Sequence, residues 1–174
     1  MKHTGLVLII ICLGACTDFE PFKGEKVKQY ASSVIAFSSQ YSTTNWAATR
    51  ALGEENVYPT HDDLPNAWAS LTADGQREFL VLGFSEQQTV KKIEIFETYN
   101  PGAIDTVLLR NAATQKWVTV YSKPAATDLP KQSRILAIHL IETPFMADAI
   151  RMAINSPAVD GWNEIDAVAI TGQK

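Results

Sequence analysis

The stretch Val90-Lys91-Lys92-Ile93-Glu94-Ile95-Phe96-Glu97-Thr98, followed by Tyr99-Asn100-Pro101-Gly102-Ala103 and then Ile104-Asp105-Thr106-Val107-Leu108-Leu109-Arg110, decides the fold. Ile93 and Ile95 fall on one side of an extended chain and Glu94 on the other, the period of a strand with one face in a core and one in water. The connection from Tyr99 to Ala103 is too short for a crossover helix, so the two strands it joins are expected to run antiparallel.

The same composition and alternation recur at Val34 to Ser38, Glu78 to Phe84, Lys116 to Ser122, Arg134 to Ile141, Asp148 to Ile154 and Ile165 to Thr171. Ile150, Met152 and Ile154 alternate with Arg151 and Ala153 as Ile93 and Ile95 do with Glu94. Eight strands with short polar connections such as Ser85-Glu86-Gln87-Gln88 and Asn111-Ala112-Ala113-Thr114, and no long helix, predict an all-β antiparallel sandwich or jelly roll. If consecutive strands alternate in direction, the segments 39–77, 99–103, 123–133 and 155–164 share one end. That end collects Tyr41, Trp46, Tyr58, His61, Trp68, Tyr99, Asn100 and Trp162, and loops on a rigid sheet scaffold are where binding residues concentrate.

The amino terminus speaks to location. Lys2 and His3 precede an apolar run from Gly5 to Leu13 that is shorter than the roughly 20 residues a spanning helix needs, so it reads as a signal-peptide core. Leu13-Gly14-Ala15-Cys16 closes that run and resembles the bacterial lipobox, which implies cleavage before Cys16 and its acylation. The expected organisation is a signal peptide over residues 1–15, a lipidated Cys16 with a flexible tether over 16–30, and one β-sandwich domain over 31–174. A tether of that composition reaches on the order of 20 Å. The expected location is the bacterial cell envelope, lipid-anchored at the outer membrane.

Composition narrows the function. The 15 Lys and Arg stand against 19 Asp and Glu, for a net charge of −4, with no basic block to track a phosphate backbone, so nucleic acid is not an expected partner. Cys12 and Cys16 are the two cysteines, which leaves the domain without a disulfide or a thiolate metal site. Gly-x-Ser-x-Gly, His-Glu-x-x-His and a phosphate-cradling glycine loop are absent. A non-catalytic binding module is expected.

Three motifs carry a family resemblance: Ala51-Leu52-Gly53-Glu54-Glu55-Asn56-Val57-Tyr58-Pro59, Glu97-Thr98-Tyr99-Asn100-Pro101-Gly102-Ala103, and Gly161-Trp162-Asn163-Glu164-Ile165-Asp166-Ala167-Val168. Together they resemble a discoidin-like subgroup of the galactose-binding-like superfamily, the coagulation factor 5/8 type C domains, over roughly residues 31–172. The resemblance implies an eight-stranded jelly roll. It also implies a structural calcium near the loop 51–56, with Glu164 or Asp166 supplying an acid ahead of the last strand. Leu52 stands where such domains usually carry Asp before the glycine.

The candidate ligand-binding residues are Tyr58, His61, Trp68, Tyr99, Asn100 and Trp162. A flat ring covers the apolar face of a pyranose while Asn and His side chains hydrogen-bond its hydroxyls, so the expected partner is carbohydrate. The alternative is an envelope protein bound by the same loops or by a sheet face. Three of the motifs have a second reading: His61-Asp62-Asp63 suits a divalent ion or forms a solvated turn, Glu97 reaches a ligand or braces its loop, and Arg151 faces a ligand or an ion-pair partner.

Overall fold

The computed structural model describes residues 24–174. The signal-peptide and Cys16 expectations lie outside these residues. The nine strands among the described residues are β1 (Lys26–Tyr30), β2 (Ser33–Phe37), β3 (Glu78–Gln88), β4 (Lys92–Tyr99), β5 (Ile104–Asn111), β6 (Trp117–Ser122), β7 (Arg134–His139), β8 (Ala147–Ile154) and β9 (Glu164–Gln173). Two short 3-10 turns, Ala48–Ala51 and Ser156–Ala158, are the only helical pieces among them.

Two sheets form, one in the order β1-β9-β4-β7 and the other in the order β2-β3-β8-β5-β6. Every pairing is antiparallel. The jelly-roll sandwich implied by the family resemblance is the architecture found. Its interior is filled by the residues whose alternation announced it: Ile93 and Ile95 of β4 with Val168 and Ile170 of β9 from one sheet, Leu80 and Leu82 of β3, Val107 and Leu109 of β5 and Ile150, Met152 and Ile154 of β8 from the other. Glu94, on the opposite side of β4, pairs with Lys92 at 2.7 Å and Lys28 at 3.4 Å.

The eight expected strands are present, and a ninth precedes them. Lys26–Tyr30, assigned above to the tether, pairs antiparallel with β9 from Lys26↔Gln173 to Tyr30↔Ala169. Its sequence, Lys-Val-Lys-Gln-Tyr, is that of an edge strand. Lysines on an exposed edge discourage pairing with other chains and at the same time remove the apolar signature by which a strand is recognised.

Strand direction places the connections as parity predicts. The segments 38–77, 100–103, 123–133 and 155–163 leave the sandwich at one end, and 89–91, 112–116 and 140–146 leave at the other.

Candidate functional site

The loops at the first end are tied to one another by hydrogen bonds across large sequence separations. Glu97, buried at the end of β4, accepts from the Gly102 amide at 2.8 Å and from Arg134 Nε at 2.7 Å, so the loop-bracing reading of this residue holds. The Ala126 amide donates to the Gly102 carbonyl at 2.9 Å. Gly102 adopts φ +122°, and a Cβ there would collide with the Ala126 carbonyl oxygen, so this junction of two loops requires glycine. Asn100 adopts φ +40°; its Nδ2 donates to the Trp162 carbonyl at 3.1 Å while Asn163 Nδ2 donates to the Asn100 carbonyl at 2.9 Å. The Gly161 amide donates to the Asp74 carboxylate, and Ser133 Oγ donates to the Pro59 carbonyl.

Two cavities open between these loops. The larger, about 330 Å³, lies between the β4–β5, β6–β7 and β8–β9 connections and is lined by Asn100, Thr127, Lys131 and Asp160 among polar residues and by Leu129 and Val159 among apolar ones. Its volume lies at the low end of the range of small-molecule sites.

The smaller, about 60 Å³, is walled by Tyr41, Trp46 and Trp162 with Asp63 and Ala69. Tyr41 stands nearly upright to both indoles, at 5.1 Å and 68° to Trp46 and at 5.9 Å and 82° to Trp162. The long β2–β3 connection holds this arrangement by pairing with itself: the Tyr41 amide donates to Ala69 O, the Ala69 amide to Trp46 O, and the Trp46 amide to Pro65 O. Trp46 adopts φ +52°, a left-handed conformation uncommon for a bulky residue and found preferentially at functional sites. Trp162 Nε1 is fixed by the Ser70 carbonyl at 3.1 Å, and Trp46 Nε1 donates to Glu164 Oε1 at 3.0 Å.

The structure separates the six candidate ligand-binding residues. Asn100 lines the larger groove and Trp162 the aromatic pocket; Tyr58, His61, Trp68 and Tyr99 line neither. Trp68 is 0% exposed, forms an isolated β-bridge with Ile165 and donates its indole N–H to Ser39 O, so it is a core residue and not a ligand platform. Tyr58 packs edge-on against Phe96 at 5.4 Å, and His61 packs against Tyr99 at 5.4 Å with its ring tilted by 40°. Arg151 lines neither cavity and pairs with no carboxylate among the described residues: its guanidinium lies 4.6 Å from the centroid of the Phe79 ring. Tyr41 and Trp46 belong to the aromatic set that parity brought to this end, but nothing in a connection of that length marked which of its rings would converge. Asp63 is in the His61-Asp62-Asp63 run, and Thr127, Lys131 and Asp160 had no signal beyond lying in the right loops.

The acids ahead of the last strand do not fit the calcium that the resemblance implies. Asp166 is 0% exposed, and its carboxylate accepts from the amides of Asn56, Val57 and Tyr58 at 2.8–3.2 Å. Those N–H groups occupy the oxygens a cation would need and present positive ends where it would sit. Glu164 is 1% exposed, and burial, reinforced by the neighbouring Asp63 carboxylate, pushes its pKa up to about 9. A neutral acid beside an amide-saturated carboxylate is far from the six to eight oxygens calcium takes. Among the described residues no three His, Cys, Asp or Glu side chains cluster as a metal site. Glu164 and Asp166 brace the loop end through these contacts, which do not fit a calcium site.

A family model described as Pappalysin-1, SD scarf domain, C-terminal matches residues 20–174. The chain belongs to that family. A curated relative, F-box/LRR-repeat protein 4 of Bos taurus, is 27% identical over 180 aligned positions that take in 86% of this chain. The match spans 29% of that protein's length. Among solved structures, a mutant of chitosan-binding module 1 derived from a chitosanase/glucanase of Paenibacillus sp. IK-5 is similar with a TM-score of 0.62 at 16% identity, covering 82% of this chain and 96% of that one. XRCC1, solved bound to the DNA pol beta catalytic domain, is similar with a TM-score of 0.63 at 13% identity, covering 84% of this chain and all of that one. These likenesses establish the galactose-binding-like sandwich as the fold of this family member.

Proposed function

We propose that this scarf-domain protein is a non-catalytic carbohydrate-binding module whose glycan lies in the 330 Å³ groove. The observation that carries this reading is the lining. Leu129 and Val159 offer apolar surface to a sugar face while Asn100, Thr127, Lys131 and Asp160 offer donors and acceptors of both kinds to its hydroxyls. The three loops forming the groove are braced by Glu97, Gly102 and Asn163, so the site is pre-formed and little ordering cost opposes binding. The likeness to a module named for chitosan binding supports a saccharide.

In this reading the domain stands on the outer membrane of a bacterial envelope, held by acyl chains on Cys16. Each buried methylene contributes about 0.8 kcal/mol, so several chains hold it firmly. Cys16→Ser, followed by acyl labelling and membrane fractionation, tests that arm: release from the membrane is expected, and unchanged labelling contradicts it.

A second reading is a protein-interaction module. Edge strand β2 exposes Ile35 at 44% and Phe37 at 39%, and XRCC1 shares the fold and was solved with a protein partner. Titration of the protein against a broad glycan panel decides between the two. Saturable binding weakened by Lys131→Ala and Asp160→Ala supports the groove. Its absence, together with loss of a partner on charging Phe37, supports the edge.

A further inference from the structure

The pocket walled by Tyr41, Trp46 and Trp162 is too small for the work assigned to the groove. At about 60 Å³ it does not admit a pyranose ring, yet it exceeds the roughly 10–15 Å³ a single water requires. Three aromatic rings meet there with one carboxylate, Asp63, and no Lys or Arg lines it. Tyr41 is 47% exposed, so the pocket opens to solvent along one wall.

Behind that wall lies an acid with no evident structural partner for half of its carboxyl. Glu164 is 1% exposed; its Oε1 accepts from Trp46 Nε1, its carboxyl lies against the Asp63 carboxylate and the Leu64 amide, and its Oε2 makes no hydrogen bond of good geometry among the described residues. Two of the groups against Glu164, Trp46 and Asp63, line the pocket. Burial and the neighbouring Asp63 carboxylate favour the neutral form of Glu164, which leaves Asp63 as the acidic side chain in the pocket lining. Trp46, held in a left-handed backbone conformation, is the ring that joins the wall to this pair.

Aromatic faces carry negative potential, and a weakly hydrated organic cation gains from several of them at once, most of all when a carboxylate supplies the countercharge. We propose that this pocket is an aromatic cage for an alkylated ammonium head group, a site separate from the glycan groove and independent of it. A quaternary nitrogen, seated through the open Tyr41 wall, lacks the N–H donors that would need further acceptors. A primary ammonium is more strongly hydrated and finds only Asp63 as a full partner.

Calorimetric titration of the full chain in detergent tests this with choline and with 3,3-dimethyl-1-butanol, its uncharged carbon analogue. Choline is expected to bind at least about tenfold more tightly than the analogue. Tyr41→Ala and Asp63→Asn are each expected to weaken choline about tenfold with a retained cooperative melt, and Lys131→Ala, a groove variant, to leave choline unchanged. Should either cage variant fail to fold, Trp162→Phe, which keeps a ring, serves with an expected smaller loss. Phosphocholine and N-trimethyllysine carry the same head group, and the tighter of the two identifies its source. Equal binding of choline and its analogue, tighter binding of glucosamine than of choline, or insensitivity of choline to the cage variants overturns the proposal. None of these results depends on whether the groove takes a glycan.

Discussion

The two sides of the loop end are built from different materials. The groove side is made by three short connections over the ends of β4 to β9, has no aromatic ring in its lining and is held open by backbone and side-chain ties such as Ala126 to Gly102 and Asn163 to Asn100. The aromatic side is made chiefly by one long connection, 38–77, which folds on itself and spends its rings on Tyr41, Trp46, Trp68 and Trp162 contacts. Rings are therefore a poor guide to the large cavity and a good guide to the small one. The groove in this family member rests on loop spacing, and these aromatic residues serve either the core or the small pocket.

The sharpest way to break that distinction is to remove rings from each role. Trp68→Ala leaves a cavity where a fully buried indole stood and should lower folding stability by about 3–5 kcal/mol. Trp162→Ala, in a half-buried ring of the pocket wall, should cost clearly less. Denaturant unfolding of the two variants compares them directly, and equal losses would mean that Trp162 is as structural as Trp68.

The next effect concerns the acid behind the aromatic side. Glu164 has a folded-state pKa pushed up to about 9 against an ordinary 4.5, so the folded protein holds a proton there that the unfolded chain has released. The stability this group contributes is complete below about 4.5 and is lost progressively as pH rises to about 9, amounting to about 3 kcal/mol by pH 7. Glu164→Gln keeps an acceptor for Trp46 and a donor for Asp63 while removing the titration. Its melting temperature should exceed that of the unchanged protein above neutral pH and converge with it at pH 4.5; parallel pH profiles for the two would contradict a neutral Glu164.

Asp166 provides the smaller contrast. Bonded to three amides of the 56–58 loop, it should cost about 1.5–3 kcal/mol when replaced by Asn, whose amide turns a donor toward those donors. Smallest of all is the expected effect of calcium: melting curves in millimolar calcium and in chelator should coincide. A calcium site occupied at a hundredfold its Kd would instead add about 2.7 kcal/mol.

Much of this was readable in the amino acids, and the unreadable part has physical causes. Ile93, Ile95, Ile150, Met152 and Ile154 announced core faces because one-sided burial imposes a period of two, and strand parity then gathered the binding loops at one end. β1 escaped because an edge strand rich in Lys looks like a tether. Trp68 and Trp162 were alike in sequence, both in loops. Only tertiary pairing distinguishes them, through the bridge of Trp68 to Ile165 and the placement of Trp162 beside Tyr41. Glu164 and Asp166 matched a metal pattern by position, and their fate was decided by residues about a hundred positions earlier, the indole of Trp46 and the amides of 56–58.

The central claim, that the groove between the β4–β5, β6–β7 and β8–β9 connections holds a saccharide, is tested most directly by titrating the protein with the best ligand from a glycan panel before and after Lys131→Ala and Asp160→Ala. Saturable binding that each substitution weakens at least about tenfold, with unchanged melting and no change on Tyr41→Ala, is the result expected. Glycan affinity that ignores both groove substitutions, or that is abolished only by Tyr41→Ala, would contradict it.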